Sequence, residues 1–188
     1  MNRFYRIREH KLYREAMETI NSREEDRIYC RHGFSHQIDV ARISCLLLWE
    51  ELEGQTGVMS RELKDLVYGA ALLHDLGRGM EYNGTMGHEE GGVLLAEEIL
   101  KDCGYGKEEA GVILRAIASH RGKRKEEAEE AANEPAVLEQ TAAGNPADRL
   151  PGILYKADKL SRNCFLCDAK ETCHWAEDKK NEWEDIQW

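Results

Sequence analysis

An all-α helical bundle is the fold the sequence predicts, and two observations carry it. Apolar residues recur at steps of three and four almost everywhere, and the β-branched runs of alternating polarity that announce a sheet are absent. The clearest helix runs through Phe34, Ile38, Ala41, Cys45, Leu48 and Leu52, which share one helical face. A second begins after Ser60, an N-cap candidate, continues through Leu63, Leu66, Val67, Ala70 and Leu73, and stops near Gly77. Its C-terminal end carries LLHDLG. GGVLLAEEIL, preceded by His88, suggests a third helix, and Ala110, Ile113, Leu114 and Ile117 a fourth that ends at His120. The charged stretch RGKRKEEAEEAANEP reads as a solvated helix or loop. Asn145-Pro146 and Pro151 lead into another helix, whose buried face is Ile153, Leu154, Ala157 and Leu160. From about Glu171 onward Trp175, Trp183 and Trp188 stand among charges, and a C-terminal helix laying an aromatic edge on the body is expected.

The length of 188 residues and the 41% apolar composition suit one core, so the chain reads as a single domain over 1–188. Lysine and arginine number 26 against 36 aspartates and glutamates, and a net charge of -10 argues against broad capture of nucleic acid or an anionic membrane. Any phosphate must be held locally. The N-terminal MNRFYRIREHKLYREAM is charged throughout, and no apolar run reaches the roughly 18 residues of a membrane span. A cytoplasmic protein is expected. In that compartment the six cysteines stay reduced, so disulfides are disfavoured.

Polar residues on apolar stripes carry the functional signal. An ionised carboxylate buried without a partner costs several kcal/mol or more, so Asp75 and Asp158 each demand an explanation. His120 continues the stripe of Ile113 and Ile117, and His74 follows Leu73 at the buried end of its helix. Adjacent helical side chains diverge by about 100°, so His74 and Asp75 reach one ion only from the edge of a helix. Imidazole with carboxylate suits zinc, iron, manganese or nickel better than calcium. Any one of these histidines alone reads as an ordinary core or surface residue. Their combination does not.

FSHQIDVARIS, AALLHDLGRG, MGHEEGG, IASH and LYKADKL resemble the successive motifs of HD-superfamily phosphohydrolases, from about Cys30 to Leu160. The resemblance places an HD core over about 28–162, with a cysteine-containing extension over about 163–188. It implies a metal site of His36, His74, Asp75 and Asp158, with His32 excluded as the first histidine. His88 and His120 match the extra histidines of two-metal members, including a branch similar to symmetrical diadenosine tetraphosphate hydrolases, where Asp75 would bridge the ions. The implied cofactor is one or two divalent ions of iron, manganese, zinc, nickel or cobalt. Such an ion activates water for attack on phosphorus, and nearby cations hold the remaining phosphate charge. Arg78 is the first candidate for that role and Lys159 the second, with Lys156, Arg121 and Arg31 behind them; Asp39 could orient the water.

Cys164, Cys167 and Cys173 have spacing that lets thiolates share a metal, and His174 or Cys30 could complete the set. Structural zinc, an iron–sulfur cluster and plain reduced thiols all fit that pattern. The leading expectation is an enzyme that cleaves a phosphoester or phosphoanhydride of a small nucleotide-like substrate. The alternatives are a nucleotide- or metal-sensing module without catalysis and a di-iron oxygenase. The sequence leaves the oligomeric state open.

Overall fold

The computed structural model describes residues 2–52, 59–120 and 145–186. Among them are eight α-helices and no strand: α1 (Arg3–Glu9), α2 (Lys11–Arg23), α3 (Phe34–Leu52), α4 (Arg61–Leu73), α5 (Arg78–Tyr82), α6 (His88–Asp102), α7 (Lys107–Ser119) and α8 (Leu150–Leu160). The charged stretch after His120, with Arg121, lies outside the described residues, as does Trp188. No helix is long and apolar enough to cross a membrane.

Helices α3, α4, α7 and α8 form the centre, with α8 against both α3 and α7, and α6 laid along α7. Their buried faces meet in one core that includes Leu48, Val67, Leu72, Ile99, Ile117 and Leu154. Ser60 caps α4 as its sequence position suggests, its hydroxyl accepting from Leu63 N at 3.1 Å.

Two helices precede those read from the apolar pattern. Asn2 caps α1 and His10 caps α2, and the buried Ile7, Tyr13, Met17 and Ile20 are separated by charged residues that hide the stripe. Arg3 ties this pair to the body through Asp65 at 3.2 Å and Glu109 at 2.7 Å.

Helix α3 is rotated from its expected face. The buried residues are Gln37, Val40, Ala41, Ser44, Leu47, Leu48 and Leu52, while Phe34 is exposed and Ile38 and Cys45 are half-buried. The cause is a polar residue in the core. Tyr13 donates to Gln37 Oε1 at 2.5 Å and the Gln37 amide faces Met17 Sδ at 3.1 Å, so the amide is satisfied without water. A count of apolar residues alone misses that turn of the helix.

The C-terminal segment is not the expected α-helix. Residues after α8 form single 3₁₀ turns at Cys164–Leu166, Lys170–Thr172, Glu177–Lys179 and Trp183–Asp185. Trp183 is exposed and packs on Phe165, 4.5 Å between ring centres, and Trp175 lies under Arg162. With aromatic residues too sparse for a helical stripe, the segment takes its order from hydrogen bonds. The Asn181 amide donates to Lys159 O, Leu160 O and Arg162 O at 2.9, 3.1 and 2.8 Å, which satisfies carbonyls at the end of α8.

Candidate metal centre

Four helix termini aim histidines at one place. His36 lies in the first turns of α3, His74 is the C-cap of α4, His88 opens α6 and His120 is the C-cap of α7. Because α4 stops at Leu73, Asp75 sits on the turn beyond it, and His74 Nε2 comes within 3.1 Å of Asp75 Oδ2. This is the helix-edge geometry the doublet requires.

The turn is held by close backbone packing. Gly77 lies so near the start of α6 that a Cβ would stand 2.0 Å from His88 O and 2.3 Å from Gly92 N. That contact brings the doublet and His88 into one site.

Two ligand groups result, and they share Asp75. Donor atoms of His36, His74, Asp75 and Asp158 lie within 4.8 Å of one another, as do those of Asp75, His88 and His120. His36 Nε2 is 3.4 Å from both Asp75 Oδ2 and Asp158 Oδ1. On the other side, His120 Nε2 is 3.7 Å from Asp75 Oδ1 and 3.2 Å from His88 Nε2.

Hydrogen bonds behind the rings set their tautomers. A carbonyl only accepts, so His74 Nδ1 donates to Ala71 O at 2.8 Å and His120 Nδ1 to Ile117 O at 2.6 Å. The Ser161 hydroxyl donates to Asp158 O at 2.8 Å, so it accepts from His36 Nδ1 at 3.2 Å. Neutral rings held this way turn bare Nε2 lone pairs toward each other and toward carboxylates. His36 Nε2 and His74 Nε2 are 3.3 Å apart. Asp75 Oδ2, fully buried, accepts no hydrogen bond among the described residues. Converging lone pairs around an unbonded buried carboxylate oxygen repel one another without a cation between them, and this donor set fits a divalent transition metal.

Arg78 and Lys159 sit at the site, each paired with a ligand carboxylate. Arg78 Nε donates to Asp75 Oδ1 at 2.7 Å and Lys159 Nζ to Asp158 Oδ2 at 2.5 Å. Burial opposes ionisation of Asp75, but the Arg78 guanidinium beside it, at 2.7 Å, holds its carboxyl well below the usual carboxylate range. Asp158 is likewise buried, yet the Lys159 ammonium beside it holds its carboxyl below the usual range.

A cleft of about 740 Å³ opens beside this centre, lined by His36, Asp158, Arg78 and Lys159 and, further along, by Tyr155 and Trp175. His32, excluded as a ligand by the sequence, lines the cleft without joining either ligand group. Its Nδ1 is 2.5 Å from Glu24 Oε1, its backbone N–H donates to Glu24 Oε2 at 2.7 Å, and Tyr82 donates to the same carboxylate. Burial pushes His32 down against the pull of Glu24, while Glu24, despite its own burial, is held at about 2 by these donors. Of the other candidates, Lys156 is exposed, Arg31 bonds the carbonyls of Arg27 and Glu25, and Asp39 lines a neighbouring cavity. Sequence reasoning missed Ser161, Glu24 and Tyr82. Ser161 alone had a signal, lying three residues after Asp158 on the same helical face.

Residues 33–163 match the HD domain family. A relative from Clostridium beijerinckii (strain ATCC 51743 / NCIMB 8052), described as an uncharacterized protein, is 32% identical over 158 residues, which cover 84% of this chain and 82% of that one. No solved structure matches.

Proposed function

The chain belongs to the HD domain family, a superfamily of metal-dependent phosphohydrolases, and from that premise we propose that it hydrolyses a phosphoester or phosphoanhydride of a small nucleotide-like substrate. The observation that carries this reading is the meeting of bare Nε2 atoms and the buried Asp75 Oδ2 beside a cleft that also holds cations. His36, His74, Asp75 and Asp158 would hold one ion, and Asp75, His88 and His120 a second. A divalent metal supplies ionised water near neutral pH and neutralises phosphate oxygens.

The chain's own groups do the rest. Ala71 O, Ile117 O and Ser161 Oγ lock ligand rings in the tautomer that keeps Nε2 bare. Arg78 and Lys159 stand on the cleft lining with donors that can reach phosphate oxygens. His32, whose Nδ1 is held by Glu24, would be a cleft group able to exchange a proton with the leaving group. The cleft volume, about 740 Å³, suits a nucleotide, and Tyr155 and Trp175 put aromatic carbon on its lining.

The test is phosphate release from nucleoside monophosphates and dinucleoside polyphosphates by Mn²⁺-loaded wild type and Asp75→Asn, with metal content measured on both. The isosteric variant is expected to stay helical by circular dichroism, to lose bound metal, and to lose turnover at least about 100-fold. Turnover undiminished in Asp75→Asn overturns the mechanism. Mutation-sensitive metal with no hydrolysis by the wild type overturns the activity.

A further inference from the structure

Four cysteines gather on the far side of His36, outside both ligand groups. Cys30 comes from the loop between α2 and α3, and Cys164, Cys167 and Cys173 from the segment after α8. All four line one cavity of about 260 Å³. Two chain regions more than a hundred residues apart in sequence thus present thiols to a common space.

The backbone explains how three of them share a side. Cys167 N–H donates to Cys164 O at 3.2 Å, Lys170 N–H to Cys167 O at 3.1 Å and Cys173 N–H to Lys170 O at 3.3 Å. These successive three-residue turns bring side chains at every third position into line. The fourth cysteine is fixed from both sides. Arg27 Nε donates to Cys30 O at 2.7 Å, and the hydroxyl of the adjacent Tyr29 donates to Thr172 O at 3.1 Å. His174, the other candidate from the spacing, lines the substrate cleft instead of this cavity.

The segment needs a fastening that its apolar residues do not supply. Among the described residues from 161 onward, Cys164 is the single buried apolar side chain. A stretch of single turns with one buried apolar residue recovers little of the entropy lost in ordering it, whereas a structural metal contributes folding free energy directly. The charge also suits a metal. A divalent ion with four thiolates carries two negative charges, and Arg162, which donates to the neutral Lys179 O, lines the same cavity beside Lys170 and Lys180, which are paired with Glu182 and Glu177. Lys180 is buried there, its Nζ donating to Lys170 O at 2.8 Å and Glu177 Oε1 at 2.6 Å.

We propose that Cys30, Cys164, Cys167 and Cys173 bind one structural zinc ion that fastens the C-terminal segment to the loop before α3. No three of these sulfurs lie within 4.8 Å of one another, so binding closes the sphere by rotating thiols into the cavity they line. Each cysteine gives up its thiol proton to solvent as its Zn–S bond forms, and no redox change occurs. Resting on the hydrolase reading in one respect, the site also steadies the cleft wall, since Trp175 and Asn181 belong to the fastened segment and line that cleft.

The experiment measures zinc in the full-length wild type, His74→Ala, Cys30→Ser and Cys167→Ser, with X-ray absorption at the zinc edge. Expected are about one zinc per chain in a sulfur-only shell, retained in His74→Ala and reduced at least about tenfold in both serine variants. Should those variants fold poorly, wild type stripped with a chelator and reloaded with Co²⁺ is expected to show a thiolate-to-cobalt charge-transfer band. Full zinc retention in Cys30→Ser, a shell without sulfur, an iron–sulfur chromophore in the purified chain, or no such band on Co²⁺ loading each overturns the proposal. Because the readout in His74→Ala is zinc–sulfur coordination and not hydrolysis, it stands or falls separately from the catalytic reading.

Discussion

Gly77→Ala tests whether the packing of one turn holds the two ligand groups together. A Cβ at Gly77 would lie 2.0 Å from His88 O and 2.3 Å from Gly92 N, both backbone atoms that no side-chain rotation can move. Carbon contacts are ordinarily at about 3.5 Å, so the turn and the start of α6 must part by more than about 1 Å. The turn carries Asp75 and α6 carries His88, so the movement opens the Asp75–His88–His120 group directly. Overpacking of this kind costs about 3 kcal/mol, which for a chain of this size lowers Tm by about 6–12 °C. A displacement of about 1 Å in a ligand group also lowers turnover about 100-fold. Calorimetry reads the Tm, Mn²⁺ titration the opened ligand group and phosphate release the turnover, and Gly87→Ala is the control. No atom lies within 4 Å of a Cβ at Gly87, so that variant should stay within about 1 kcal/mol of wild type. Wild-type Tm and metal stoichiometry in Gly77→Ala would refute the idea that this contact sets the site.

Two further outcomes follow from hydrogen bonds behind the cleft. Ser161→Ala removes the acceptor that holds the His36 tautomer and should weaken Mn²⁺ binding about 10–100-fold, with Ser161→Thr restoring it; equal binding by all three proteins in a titration would mean that Ser161 positions nothing. Glu24 is depressed from 4.5 to about 2 in the folded chain, so it contributes stability that is full above its unfolded value and lost as pH falls through about 2. The difference is worth about 3 kcal/mol, and Glu24→Gln should flatten the fall in denaturant stability between pH 4.5 and about 2; an unchanged acid slope would count against the network.

What the sequence discloses and conceals here follows from range. His74 and Asp75 are readable because a doublet at the end of an apolar stripe is a local anomaly, and His120 because it continues the stripe of Ile113 and Ile117. The core face of α3 is not readable, because Gln37 is buried by a partner on α2, a helix whose own stripe is broken by charges. Glu24 and Tyr82 escape for the same reason: their meeting with His32 depends on how α2 and α5 pack, and no spacing along the chain encodes it. Cys30 precedes His36 by six residues and Cys164 follows Asp158 by six, which is the one regularity along the chain that relates the first cysteine to the later ones. His36 and Asp158 themselves converge, and the chain flanking each of them lines one cavity.

The charges at the centre bear on what the cleft accepts. Asp75 and Asp158 supply two negative charges, and Arg78 and Lys159 match them at 2.7 and 2.5 Å. Histidines that ligate through Nε2 are neutral. One divalent ion would leave these four groups with two positive charges, while a second, held by His88, would lie close to Glu81 and Glu89, which are 3.4 and 3.5 Å from His88 Nδ1. Around it lies a chain with a net charge of -10, which repels long polyanions while the positive centre acts over about a Debye length of 8–10 Å. Along the same cleft, Arg27 donates to Cys30 O and Arg162 donates to Lys179 O and lies over Trp175, neutral partners that leave each guanidinium charge uncancelled by them. On the proposed hydrolase reading, short-range positive charge within a negative surface is expected to admit small phosphate compounds ahead of nucleic acid. Rings of Tyr155 and Trp175 in that lining favour, among such compounds, those with a flat apolar end.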